Sequence, residues 1–181
     1  MMREIKMILA FICLVLLLVA CSTSSNIDNS SQSEVESIQI EEVSPIVSSV
    51  QFSGVSEVEL IKLVGDPESK DSWNFNSTNG QTYDAVTWTY DKGNQEFLFI
   101  DDKVVRFTYY GDGENYEDAD HAFSLFGITK GPNITKVSDT GSALRYQRVD
   151  ESMKVDEFWL VEDLSAKSIG TVKITYDSRY F

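Results

Sequence analysis

The chain has 181 residues, with 29 acidic against 15 basic side chains and one histidine, a formal charge of −14. A chain this acidic and without a basic cluster has nothing to neutralise a row of phosphates, which argues against a nucleic-acid binder. Hydrophobic residues at 42% and charged residues at 24% describe folded globular material, and catalytic groups are scarce, since His121 is the single imidazole and both cysteines, Cys13 and Cys21, lie near the N-terminus.

Arg3 and Lys6 precede thirteen apolar residues, Met7 to Val19, followed by Ala20 and Cys21. The run is too short for a bilayer span of about 20 residues and is a normal length for the apolar region of a secretory signal. Its end, Leu18-Val19-Ala20-Cys21, resembles the lipobox of bacterial lipoprotein precursors. The resemblance implies a signal peptide over 1–20, cleavage before Cys21 and lipid on Cys21, hence an extracytoplasmic protein anchored to a bacterial membrane. An uncleaved N-terminal anchor is the alternative. Loss of Arg3, Glu4, Lys6 and Cys13 would leave a charge of −15 and, with Cys21 lipidated, no thiol for a disulfide.

Residues 22–50 hold ten serines and five acids without a base, the composition of a solvated tether, so 21–50 reads as lipidated cysteine plus linker. Val43, Ile46, Val47 and Val50 could instead open the first ordered element. From Gln51 the grammar changes. Ser56-Glu57-Val58-Glu59 is a capping box, Val55 and Leu60 occupy the positions of a hydrophobic staple, and Gly65 with Pro67 supplies a stop, which predicts a helix over 57–64. Strand patterns follow over Tyr83–Tyr90, Gln95–Ile100 and Lys103–Tyr110, with a shorter one at Trp73–Phe75. Asn115 is a candidate cap for a second helix carrying Ala119, Ala122, Phe123 and Phe126 on one side, and strands are expected over Ser142–Val149, Val155–Val161 and Gly170–Tyr176.

The order of helix then strands thus occurs twice. Lys62-Leu63-Val64-Gly65 matches Ser124-Leu125-Phe126-Gly127, and Arg106-Phe107-Thr108-Tyr109 matches Lys173-Ile174-Thr175-Tyr176, at offsets of 62 and 67 residues. The expectation is an α+β protein of two tandem helix-plus-antiparallel-meander units, 51–112 and 113–181, each a helix followed by three or four strands. One α+β domain without symmetry is the alternative.

In the first unit, the helix run Gly54 to Pro67, the strand Val86-Thr87-Trp88-Thr89-Tyr90 and the stretch Glu96 to Val105 resemble the small lipoprotein domain of the SmpA/OmlA (BamE-like) family over about residues 53–110. That likeness implies a non-catalytic envelope lipoprotein acting in assembly. The tandem arrangement also resembles the β-lactamase-inhibitor-protein fold, whose members grip a partner protein with an aromatic concave sheet.

Alternation puts Val86, Trp88 and Tyr90 on one strand face and Tyr83, Ala85, Thr87 and Thr89 on the other. One sheet face must cover a helix; the other is either core or an exposed surface offering Arg106, Tyr110, Arg145, Trp159 and Lys173 to a protein partner, since Trp, Tyr and Arg dominate binding hot spots. The acids Asp112, Glu114, Glu117, Asp118 and Asp120 lack the glycine and closing glutamate of a calcium loop and suit a helix start, and His121 has no co-ligand in sequence, so no metal or cofactor is expected. The competing function is an envelope small-ligand binder or a carboxylate-based hydrolase acting on wall or carbohydrate material, with a pair such as Asp101 and Glu157.

Overall fold

A computed structural model describes residues 43–111, 113–161 and 166–181. The expected signal peptide, Cys21 and most of the expected tether lie outside the described residues. The folded unit begins with a 3-10 turn at Ser49–Phe52 and the helix α1 at Glu57–Val64. The strands β1 (Ser69–Asn76), β2 (Thr82–Tyr90), β3 (Gln95–Ile100) and β4 (Lys103–Tyr110) follow. Then come the helix α2 (Ala119–Leu125) and the strands β5 (Thr135–Asp139), β6 (Ala143–Asp150), β7 (Val155–Val161) and β8 (Thr171–Thr175).

The local signals act as their chemistry requires. In the capping box, the Ser56 amide donates to Glu59 Oε2 at 2.7 Å and the Glu59 amide donates to Ser56 Oγ at 3.4 Å. Helix α2 is capped by Asp118, whose Oδ1 accepts from the His121 amide at 2.9 Å, and not by Asn115. Either residue type suits a cap, but Asp118 directly precedes the apolar turn and draws the start three residues later. The β3–β4 turn has both central residues, Asp101 and Asp102, at positive φ (51° and 58°), the twist that closes a tight hairpin.

All eight strands form one antiparallel sheet in the order β1-β2-β3-β4-β8-β7-β6-β5. This corrects the expected fold of two tandem helix-plus-meander units. Strands β4 and β8 pair directly, from Arg106↔Thr175 to Tyr110↔Thr171, so each is an interior strand of a common sheet. The core is likewise shared: Phe126, just after α2, packs on Tyr109 of β4 and on Phe158 of β7, with ring centroids 5.4 and 6.0 Å apart. Two separate four-stranded sheets would leave four unpaired edges, and joining them satisfies two of these edges while burying apolar surface across the seam.

The helices and the segment before α1 cover one face. Phe52 packs against both Phe97 and Phe107, with centroids at 4.9 and 5.5 Å. Ile46 donates its amide to Leu125 O at 2.8 Å, Ser49 Oγ donates to Phe126 O at 2.7 Å, and the buried Tyr176 hydroxyl donates to Ser49 O at 2.7 Å. Trp88, Phe97, Phe99, Phe107 and Ile174 line the same core, with Trp88 on the side that the alternation of β2 gives it.

Gly111 sits where the β4–β8 seam ends, and its amide donates to Gly170 O at 2.5 Å. A Cβ there would lie 2.2 Å from the Ile169 carbonyl oxygen, a backbone atom that cannot swing away. Gly111→Ala is therefore expected to cost about 1–3 kcal/mol in chemical denaturation, whereas Gly141→Ala, with nothing within 4 Å of its added carbon, is expected to leave the midpoint nearly unchanged.

Candidate functional site

The face away from the helices has two parts of different character. Toward β1–β3 it is closed by a small apolar cluster of Ala85, Leu98, Ile100, Val105 and Tyr180, with Phe75, Tyr83 and Phe181 packed against it. The chain returns after β8 to make this cover: Tyr180 meets Tyr83 edge-on at 5.0 Å and Phe181 meets Phe75 at 5.2 Å. A bulge opposite Leu98 and Phe99 makes it possible, because the register passes from Val104 to Arg106 and leaves Val105 to join the cluster.

Toward β8, β7 and β6 the same face is polar and partly open. The pairings Arg145↔Trp159, Trp159↔Lys173 and Thr108↔Lys173 put three of the five sequence-derived candidates in one row across adjacent strands. Arg106 falls in the next row, Arg106↔Thr175↔Glu157↔Gln147. Tyr110 lies at the end of β4, exposed, with its hydroxyl donating to Glu96 Oε2 at 2.8 Å. The topology thus brings Arg106, Arg145, Trp159 and Lys173 together and leaves Tyr110 at the margin.

Glu157 organises this region, and sequence reasoning weighed it only as a catalytic acid. It is 3% exposed. Its Oε1 accepts from Arg145 Nη2 at 2.7 Å and Gln147 Nε2 at 2.8 Å, and its Oε2 accepts from the Trp159 indole at 3.1 Å. Burial alone would raise its pKa, but these three hydrogen bonds together with the Arg145 charge outweigh burial and hold the carboxyl below its ordinary value. The Arg145 guanidinium also stacks over Trp159, 4.2 Å from the ring centroid, so one carboxylate fixes both of these side chains. Beside it lies a cleft of about 480 Å³ lined by Thr135, Arg145, Gln147, Arg148, Glu157 and Phe181, among others.

The suggested acid pair does not assemble. Asp101 sits in the β3–β4 turn, where its Oδ2 accepts from Tyr180 OH at 2.8 Å. Glu157 lies two strands beyond β4 at the level of Arg106, so strand spacing and rise separate the two backbones by roughly 15 Å, more than a paired-carboxylate mechanism spans. Among the described residues no group of three His, Cys, Asp or Glu could hold a metal ion, and no helix is long and apolar enough to cross a membrane. His121 is a helix-start residue whose Nδ1 accepts from the Glu117 amide at 3.1 Å.

Replacing Glu157 by alanine strands the Arg145 guanidinium and the Trp159 indole, and is expected to cost roughly 2–3 kcal/mol. Because its folded pKa is depressed, the stability Glu157 contributes is complete above the unfolded value of about 4.3. It falls as the pH drops below that value and is gone below the folded pKa. Denaturation curves from neutral pH to pH 3 are expected to show this acid-side loss in the wild type and a shallower one in Glu157→Gln.

No protein-family model matches the chain, and no curated protein does. A 1.5 Å crystal structure of an extracellular protein containing a SCP domain from Bacillus anthracis str. Ames is similar over 88% of this chain and 51% of its own length, at 13% identity and a TM-score of 0.39. The chain spans about half of that neighbour, and the TM-score is below the level at which two chains share a fold.

Proposed function

We propose that the protein is a non-catalytic, lipid-anchored lipoprotein of the bacterial cell envelope, extracytoplasmic, that acts as an interaction or assembly module by binding another protein through the open face of its sheet. The observation that carries the reading is the row Arg145, Trp159 and Lys173 on neighbouring strands, with Arg106 beside it. Tryptophan and arginine held rigid by a buried carboxylate, and not fully covered, have the make-up of an interface hot spot: large contact area at little further cost in side-chain entropy. The anchor rests on Leu18-Val19-Ala20-Cys21, and the likeness of residues 53–110 to SmpA/OmlA lipoprotein domains supports the assembly role. The cleft beside Glu157 favours a second reading, a small-ligand binder. As an acid–base catalyst Glu157 is poorly suited, since its oxygens are already engaged by three donors.

A photoreactive group at position 159 or 110 in intact cells is expected to capture one dominant envelope protein, and Trp159→Ala is expected to weaken that complex by about 2 kcal/mol, some thirtyfold. Absence of any adduct on a folded, lipidated protein would turn the assignment toward the small-ligand reading. Cys21→Ala is expected to leave an uncleaved precursor that takes up no radiolabelled fatty acid; persistent labelling would overturn the anchor.

A further inference from the structure

The cations of the open face outnumber the carboxylates beside them. Arg106 and Arg145 both act on the buried Glu157, yet its oxygens go to Arg145, Gln147 and Trp159. Among the described residues Arg106 has no carboxylate within ion-pair range. Its Nε donates to Thr175 Oγ1 at 3.3 Å, and its guanidinium lies 3.5 Å from the centroid of the Phe181 ring, and among the described residues the two η nitrogens have no acceptor. Burial lowers its pKa to about 10, with Glu157 opposing the shift and Arg145 adding to it, as expected of a cation drawn out of water with too little counter-charge.

Lys173 continues the excess. It stands between Trp159 and Thr108 in the row across the sheet and forms no ion pair among the described residues. The next acid along the row, Glu96 opposite Thr108, is engaged by the Tyr110 hydroxyl. A patch with surplus positive charge is therefore built into a chain whose net charge is −14. A cation in a partly dry site is costly without an anion, and the chain's own acids nearest to it are already committed.

We infer that the β4–β8–β7–β6 part of the open face receives an acidic segment of the protein partner, with a partner carboxylate seated on Arg106 and Lys173 and apolar contact supplied by Trp159. This deepens the interaction-module reading and rests on it. Charge complementarity of this kind selects partners and speeds encounter, and truncating one member of a desolvated pair chiefly speeds dissociation of the complex.

The test titrates the full chain in detergent micelles with a blocked hexaglutamate peptide, read by calorimetry at low salt and at about 0.5 M salt, where charges are screened beyond a few ångström. Hexaglutamate is expected to bind, to lose about tenfold in affinity in Arg106→Gln and in Lys173→Gln, and to be weakened by salt, while Lys62→Gln on α1 leaves it unchanged. Lys173 is only half buried, so its variant keeps the test decisive should Arg106→Gln fail to fold by circular dichroism. No binding, equal binding by both variants, or equal binding of hexalysine overturns the inference, and inorganic phosphate binding more tightly than hexaglutamate reassigns the site to a phosphate-bearing ligand. A partner captured at position 159 whose affinity ignores salt and Lys173→Gln overturns the acidic segment and leaves the interaction module standing. Hexaglutamate binding with no captured partner supports the anion site and removes the module.

Discussion

Five residue pairs between β4 and β8 decide what this molecule is. Each strand has a neighbour from its own hairpin on one side, and the pairing uses the other side, so both become interior strands. Once they are joined, the apolar residues of β4, β7 and β8 share one layer beneath α2. Polar residues far apart in sequence also become lateral neighbours: Arg106 and Glu157 are 51 positions apart in the chain and one strand removed in space, through Thr175. Without the seam the open face would be two half-surfaces, and no row would run from Arg145 to Thr108.

The open face is then divided by two devices. The bulge that frees Val105 and the return of Tyr180 and Phe181 after β8 dry out the β1–β3 side. Glu157 keeps the other side polar, and it can do so while buried because each of its oxygens has a donor at hydrogen-bond distance. The two devices meet at Arg106, whose guanidinium rests on Phe181 on one side and feels Glu157 on the other. That position draws the Arg106 cation partly out of water with no carboxylate paired to it among the described residues.

Much of the local structure could be read from the chain, and what could not has a physical cause. The capping box at Ser56 and the two-faced character of β2 were legible because they depend on residues close in sequence. Strand β1 runs from Ser69 to Asn76, well beyond the three residues expected, because an exposed edge strand of polar residues carries no alternation to detect. Strand β5, Thr135–Asp139, went unread for the same reason: it is the opposite edge, short and bulged. The site was legible as a set of residue types and illegible as a constellation. Alternation tells which side of its own strand Trp159 is on; only the register tells that Arg145 and Lys173 are beside it. Nor does any periodicity announce that Phe181 crosses to Arg106.

The attachment of residues 46–52 has a mechanical consequence. Force arriving through the N-terminal side of the chain meets this segment first, and the segment is no strand of the sheet, since the first strand begins at Ser69. Its hold is made of hydrogen bonds to Leu125 and Phe126, the Tyr176 hydroxyl on Ser49, and the Phe52 ring packed on Phe97 and Phe107. These contacts share a load among the end of α2, the end of β8 and the β3–β4 pair, and none of them is a zipper that opens one rung at a time. A domain held from that side can be tugged without unpicking a single β-ladder, and the rows of its open face keep their register while the strain is taken up on the opposite face.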